Sequence, residues 1–133
     1  MNFYIASSFQ NKAQVQELRD LLKDEGFLHT YDWTLNERAA TFADLERIGS
    51  AELDAVKKSD FLIVLLPGGK GTHIEMGIAL GLDIPVYLYS EEEITDPVTS
   101  SSFYHTSGVT VCTGTITDLL DTIVQEKKHA GIQ

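Results

Sequence analysis

Residues 59–81, SDFLIVLLPGGKGTHIEMGIALG, constrain this chain more than any other stretch. The run Phe61-Leu62-Ile63-Val64-Leu65-Leu66 lacks polar alternation, so it reads as a strand covered on both faces, the signature of a parallel sheet with helices on each side. Pro67 ends the run, a turn containing Gly68, Gly69 and Gly71 follows, and a helix from Thr72 to Leu82 carries Glu75 in its first turn. Ligands collect at the carboxyl ends of such strands, and that is where Glu75 falls.

Around this unit, strand and helix patterns alternate strictly. Asn2 to Ala6 reads as the first strand, Ser7-Ser8 as a turn, and Asn11 to Glu25 as a helix with Val15, Leu18, Leu21 and Leu22 at helical spacing. Gly26 stops it. Phe27 to Tyr31 is the expected second strand, and Thr41 to Ser59 a long helix with an inward stripe of Leu45, Ile48, Ala55 and Val56. Pro85 to Tyr89 and Val109 to Cys112 are the fourth and fifth strands, separated by a polar loop that includes Ser100, Ser101 and Ser102. A closing helix runs to about Lys128. The expectation is an α/β, flavodoxin-like or Rossmann-like three-layer sandwich: a five-stranded parallel sheet in one domain over 1–133.

A chain of 133 residues buries enough surface to fold without disulfide or metal, and the lone Cys112 forms no internal bridge. Together with an N-terminus that enters a strand directly, this predicts a cytoplasmic protein without a signal peptide. Apolar runs are too short for a membrane span. Twenty acidic against ten basic residues give a net charge of −10, with the cations scattered, which excludes binding to duplex nucleic acid. A small anion is compatible, because helix N-terminal amides hold phosphate without help from net charge. The histidines at 29, 73, 105 and 129 share no metal-ligand spacing with a cysteine or acid cluster, so no metal and no cofactor is expected.

The glycine turn is neither a P-loop, since Lys70 precedes Gly71, nor a dinucleotide fingerprint, since Ile74 occupies the third glycine position. It still lets a backbone approach a ligand and present its amides. Glu75 has two readings. Thr72-His73-Ile74-Glu75 has the spacing of a capping box, with Glu75 reaching back to the amide of Thr72. Alternatively, the helix dipole keeps the carboxylate ionised at the strand end, ready to attack an anomeric carbon. Glu52 lies four residues after Ile48 and four before Val56, on the apolar face of its helix. That placement fits a snorkelling acid at an edge, or a carboxyl kept protonated by desolvation. An ionised carboxylate opposite a protonated carboxyl is glycosidase chemistry.

The segment Gly71-Thr72-His73-Ile74-Glu75-Met76-Gly77 after an Asp-led strand, with the opening NFYIASSF and HTYDWT at 29–34, resembles the nucleoside 2-deoxyribosyltransferase family, which includes deoxynucleoside-monophosphate N-glycosidases. The resemblance implies a five-stranded parallel sandwich, a homodimer or higher homo-oligomer, and a nucleoside or nucleotide as the small-molecule partner. It places the nucleophile at Glu75 and the acid near the departing base at Glu52, eight positions before Asp60, where the family usually has aspartate. Gly69 stands where several transferases have an aspartate, which points away from plain base exchange. The same resemblance matches Ser7 and Ser8 to a phosphate-holding first turn; Phe9 beside them, Tyr31, Asp32 and Trp33 at the same sheet edge, with an aromatic face for a base and Asp32 for a sugar hydroxyl, and Pro67, Gly69, Gly71 and Thr72 of the glycine turn are the further substrate-binding candidates. Small residues that merely close a turn, or a Trp that merely packs, would look alike in sequence. The glycine turn is also similar to the phosphoribohydrolase motif of cytokinin-activating enzymes, and a nucleotide sensor without turnover would keep the same pocket.

Overall fold

The computed structural model describes residues 1–129. Five strands, β1 (Asn2–Ser7), β2 (Leu28–His29), β3 (Phe61–Leu65), β4 (Val86–Ser90) and β5 (Val109–Thr113), form one parallel sheet in the order β2-β1-β3-β4-β5. This is the expected flavodoxin-like order, with its reversal between β1 and β3. Four α-helices cover the sheet: α1 (Lys12–Asp24), α2 (Phe42–Lys57), α3 (Lys70–Gly81) and α4 (Ile116–His129). All five residues of β3 are buried, as its unbroken apolar run requires, and β1 holds Phe3, Tyr4, Ile5 and Ala6 inside.

Several boundaries differ from the sequence expectation. The second strand shrinks to Leu28–His29 because Thr30 already turns its hydroxyl to Phe3 and Ser59, and a short 3-10 turn follows at Trp33–Leu35. Helix α1 starts one residue late, behind a 3-10 turn at Phe9–Asn11. It does end at Gly26, whose φ of 92° allows the amides of Gly26 and Phe27 to bond the carbonyls of Lys23 and Leu22. The loop between β4 and β5 contains a further 3-10 turn, Ser102–His105, capped by the Ser101 hydroxyl.

Helix α2 is only half inside. Ala55 and Val56 reach the core, whereas Phe42 and Leu45, nearer its start, are 90% and 55% exposed. The predicted inward stripe therefore fails at Leu45, and only the C-terminal part of α2 packs into the core. His29 stacks on Phe3 with ring centroids 4.7 Å apart, and burial pushes its pKa down to about 4. No helix among the described residues is long and apolar enough to cross a membrane.

Candidate active site

A cleft of about 270 Å3 opens at the carboxyl ends of β1 and β3, where the strand order reverses. Its lining comes from β1 (Tyr4, Ser7), the following turn (Ser8, Phe9), Trp33, Glu52 of α2, and the start of α3 (Gly69, Gly71, Thr72, Glu75). Segments far apart in sequence converge here.

Glu75 is the centre of this arrangement. Helix α3 begins at Lys70, two residues before the expected start, with Gly69 as N-cap. The Thr72 hydroxyl accepts the Gly69 N–H at 3.1 Å and so fills the capping role. Glu75 is thereby shifted into the second turn and takes no part in capping, which rules out its capping-box reading. It is buried, 7% exposed, and its Oε2 accepts a 2.5 Å hydrogen bond from the Tyr4 hydroxyl.

Burial and the facing Glu52 push the Glu75 carboxyl up to about 9, while the Tyr4 hydroxyl pulls in the opposite direction. The expectation that the helix dipole alone holds Glu75 ionised is thus corrected. Desolvation dominates, because Glu75 is buried. Tyr4 in turn is held well above the usual phenol range by burial and by the Glu75 carboxyl, so it remains a hydrogen-bond donor.

The remaining lining is braced from outside. Trp33 Nε1 donates to the Ile5 carbonyl at 2.7 Å, and Phe9 meets the indole edge-on with centroids 5.4 Å apart. The Ser7 hydroxyl donates to the Leu65 carbonyl at 2.8 Å and accepts from Asn11 Nδ2 at 3.0 Å, so it ties β1 to β3. Ser8 accepts from the Gln10 amide at 3.3 Å and keeps its own proton for a ligand. The amides of Lys70, Gly71 and Thr72 lie in the first turn of α3 and have no helical carbonyl behind them. Beyond Phe9, Trp33 and Glu52 the cleft continues into an apolar groove of about 460 Å3 under Ala39, Leu45 and Ile48.

Three predicted ligand residues lie elsewhere. Asp32 spends one oxygen on the Thr34 amide and hydroxyl, at 3.0 and 2.5 Å, and the other on Arg19 at 2.7 Å. Those bonds hold its carboxyl below the usual range despite partial burial. It shapes the turn that seats Trp33 and is not among the residues lining the cleft. The Tyr31 hydroxyl donates to Asn36 Oδ1 at 2.9 Å, and the Pro67 carbonyl accepts from Asn11 at 3.1 Å, with Pro67 lining a different hollow. Conversely, Tyr4 lines the site although no sequence motif marks it. Its signal in the sequence is a phenol inside an otherwise apolar strand, a group that demands a buried acceptor.

A protein-family model described as nucleoside 2-deoxyribosyltransferase matches residues 3–119, nearly the whole chain. The chain belongs to that family. Two solved structures share its fold. The CMP N-glycosidase of Clostridium botulinum superposes with a TM-score of 0.66 at 20% identity, over 92% of this chain and 98% of the other. A 2-deoxyribosyltransferase from Bacillus psychrosaccharolyticus gives a TM-score of 0.58 at 22% identity, over 74% of this chain and 79% of the other. No curated protein sequence matches it. As a nucleoside 2-deoxyribosyltransferase family member this protein is an enzyme of N-glycosidic bond cleavage or transfer.

Proposed function

We propose that this enzyme cleaves the N-glycosidic bond of a nucleoside monophosphate or nucleoside through a covalent glycosyl intermediate on Glu75, with Glu52 serving the departing base. The observation that carries the proposal is the buried Glu75 carboxyl held by Tyr4 in one cleft with Glu52. Burial keeps a proton on Glu75, so attack requires that proton to leave first, and Glu52 in the same cleft is the acceptor within reach. In the reacting state that proton has passed to Glu52, and Glu75 is a carboxylate steadied by the Tyr4 hydroxyl.

The carboxylate attacks the anomeric carbon as the C–N bond breaks, and Glu52 hands its proton to the leaving nitrogen. Glu52, now ionised, takes a proton from water, whose oxygen displaces Glu75 from the anomeric carbon. Two inversions give net retention, and both carboxyls return to their starting state. Positive charge developing on the sugar is stabilised by the carboxylate, whose effect is strengthened by the low-dielectric surroundings in which Glu75 is buried.

The amides of Gly71 and Thr72 and the Ser8 hydroxyl are placed to receive a phosphate or sugar oxygen, and the apolar groove beyond Trp33 to receive the base. Gly69, six positions before Glu75, supplies no carboxylate for base exchange, which favours water as acceptor. The exposed apolar start of α2, at the rim of that groove, supports assembly as a homo-oligomer, and the lone Cys112 supports a cytoplasmic setting.

Incubation with a panel of nucleosides and monophosphates, with and without an acceptor base, tests the reading by chromatography. Free base with sugar phosphate is expected. Exchanged nucleoside would assign a transferase, and no base release from any member of the panel would overturn the proposal.

A further inference from the structure

The glycine turn is flanked on the side away from the cleft by a second hollow of about 460 Å3, lined by Leu66, Pro67, Gly68, His73, Ser90, Glu91, Glu92 and Tyr104. Across it the His73 ring makes two contacts. Its Nδ1 lies 2.8 Å from the carbonyl of Gly69, the N-cap of α3, and its Nε2 lies 2.6 Å from the Tyr104 hydroxyl in the β4–β5 loop. The rings stack with centroids 5.8 Å apart and planes 24° from parallel. A carbonyl only accepts, so Nδ1 carries a proton and neutral Nε2 accepts from Tyr104. If Nε2 also binds a proton, Tyr104 becomes the acceptor and the contact persists.

We propose that His73 and Tyr104 are positioning residues that hold the glycine turn in the conformation that presents the Gly71 and Thr72 amides to substrate. The proposal rests on the glycosidic reading of the cleft for its kinetic consequence, but not for its structural one. The turn is held at other points by Asn11 on the Pro67 carbonyl and by Thr72 on the Gly69 amide. On the β4–β5 side, the Gly69 carbonyl meets both the His73 backbone amide, at 3.2 Å, and its ring, and among the described residues the other hydrogen-bond partner of that ring is Tyr104. Residues 91–108 thereby reach the cleft without touching it. Because the contact survives protonation of His73, the effect is on geometry and not on proton transfer.

Tyr104→Phe removes one hydroxyl and keeps the ring, and His73→Ala and the double variant complete a cycle. Exchange of the two bonded amides of the turn, Gly69 on Thr72 Oγ1 and His73 on the Gly69 carbonyl, should accelerate roughly fivefold in Tyr104→Phe, the scale of one hydrogen bond, with β3 unchanged. KM for the nucleotide that the parent cleaves should rise by a similar factor, with kcat within about twofold and the shape of its pH profile retained, as for lost binding common to ground and transition states. The double variant should be no worse than His73→Ala, since both act through one contact. Unchanged exchange in Tyr104→Phe would overturn the positioning role whatever the chemistry. Faster exchange with unchanged KM would overturn its link to the substrate. A parent that releases no base would refute the glycosidic reading instead, and the exchange result would still decide the structural claim.

Discussion

Replacing Glu75 by glutamine separates the two consequences of burying a carboxyl at a reaction centre. The amide has the same shape, its oxygen still accepts from Tyr4, and it carries no charge at any pH. In the parent, the folded-state pKa is raised from 4.5 to about 9. Stability from keeping that carboxyl neutral is therefore fully present below pH 4.5 and is lost as pH rises toward 9. One proton's worth of linkage is about 1.36 kcal/mol per pH unit, so from about pH 5 to about pH 8 the ceiling is ~4 kcal/mol. Solvent screening through the open mouth of the cleft brings this to about 2 kcal/mol. For a domain of this size that corresponds to roughly 6–10 °C in Tm. Thermal scans of parent and Glu75→Gln should nearly coincide at about pH 5 and diverge with the variant the more stable at about pH 8. Turnover should fall at least ~1000-fold at both, since an amide forms no glycosyl ester. A Tm difference that stays constant with pH would refute the desolvation argument, and retained turnover would refute the nucleophile.

Tyr4→Phe deletes the donor that favours ionised Glu75, so the rising limb of the pH–kcat profile should move to higher pH and the rate near neutrality should drop about 10- to 100-fold. Gly68→Ala builds a Cβ 2.6 Å from Thr72 Cγ2, against the side chain that caps α3, and should lower stability by about 1–3 kcal/mol in denaturant titrations while raising KM. His29 has a depressed folded-state pKa, so its contribution is present above about pH 6.5 and lost as pH falls toward about 4. His29→Phe should therefore raise Tm at about pH 5 more than at about pH 8.

The order of elements and the position of Glu75 at a strand end were legible because they follow from short-range pattern: unbroken apolar runs, glycine punctuation and helical spacing. The start of α3 was misjudged by two residues because Thr72 suits either N-cap or third helical position, and only the Gly69 amide beside it decides. That small shift matters, since it releases Glu75 from capping. Which of Trp33 and its neighbours line the cleft was not legible, because Asp32 finds Thr34 and Arg19 only once the β2 loop has turned early. Tyr4 illustrates the opposite limit. Its pairing with Glu75 spans 71 positions, and no local pattern reports a partner that far away.

The two faces of β1 are equally greasy, so hydrophobicity alone would tolerate the strand sliding by one residue. Such a slip would point the phenol at the α1/α4 layer and strand a hydroxyl in hydrocarbon, a penalty of several kcal/mol. The contact that tunes the nucleophile therefore also keeps the central strand the right way round, and mutations that weaken one should betray themselves in refolding yield of the other.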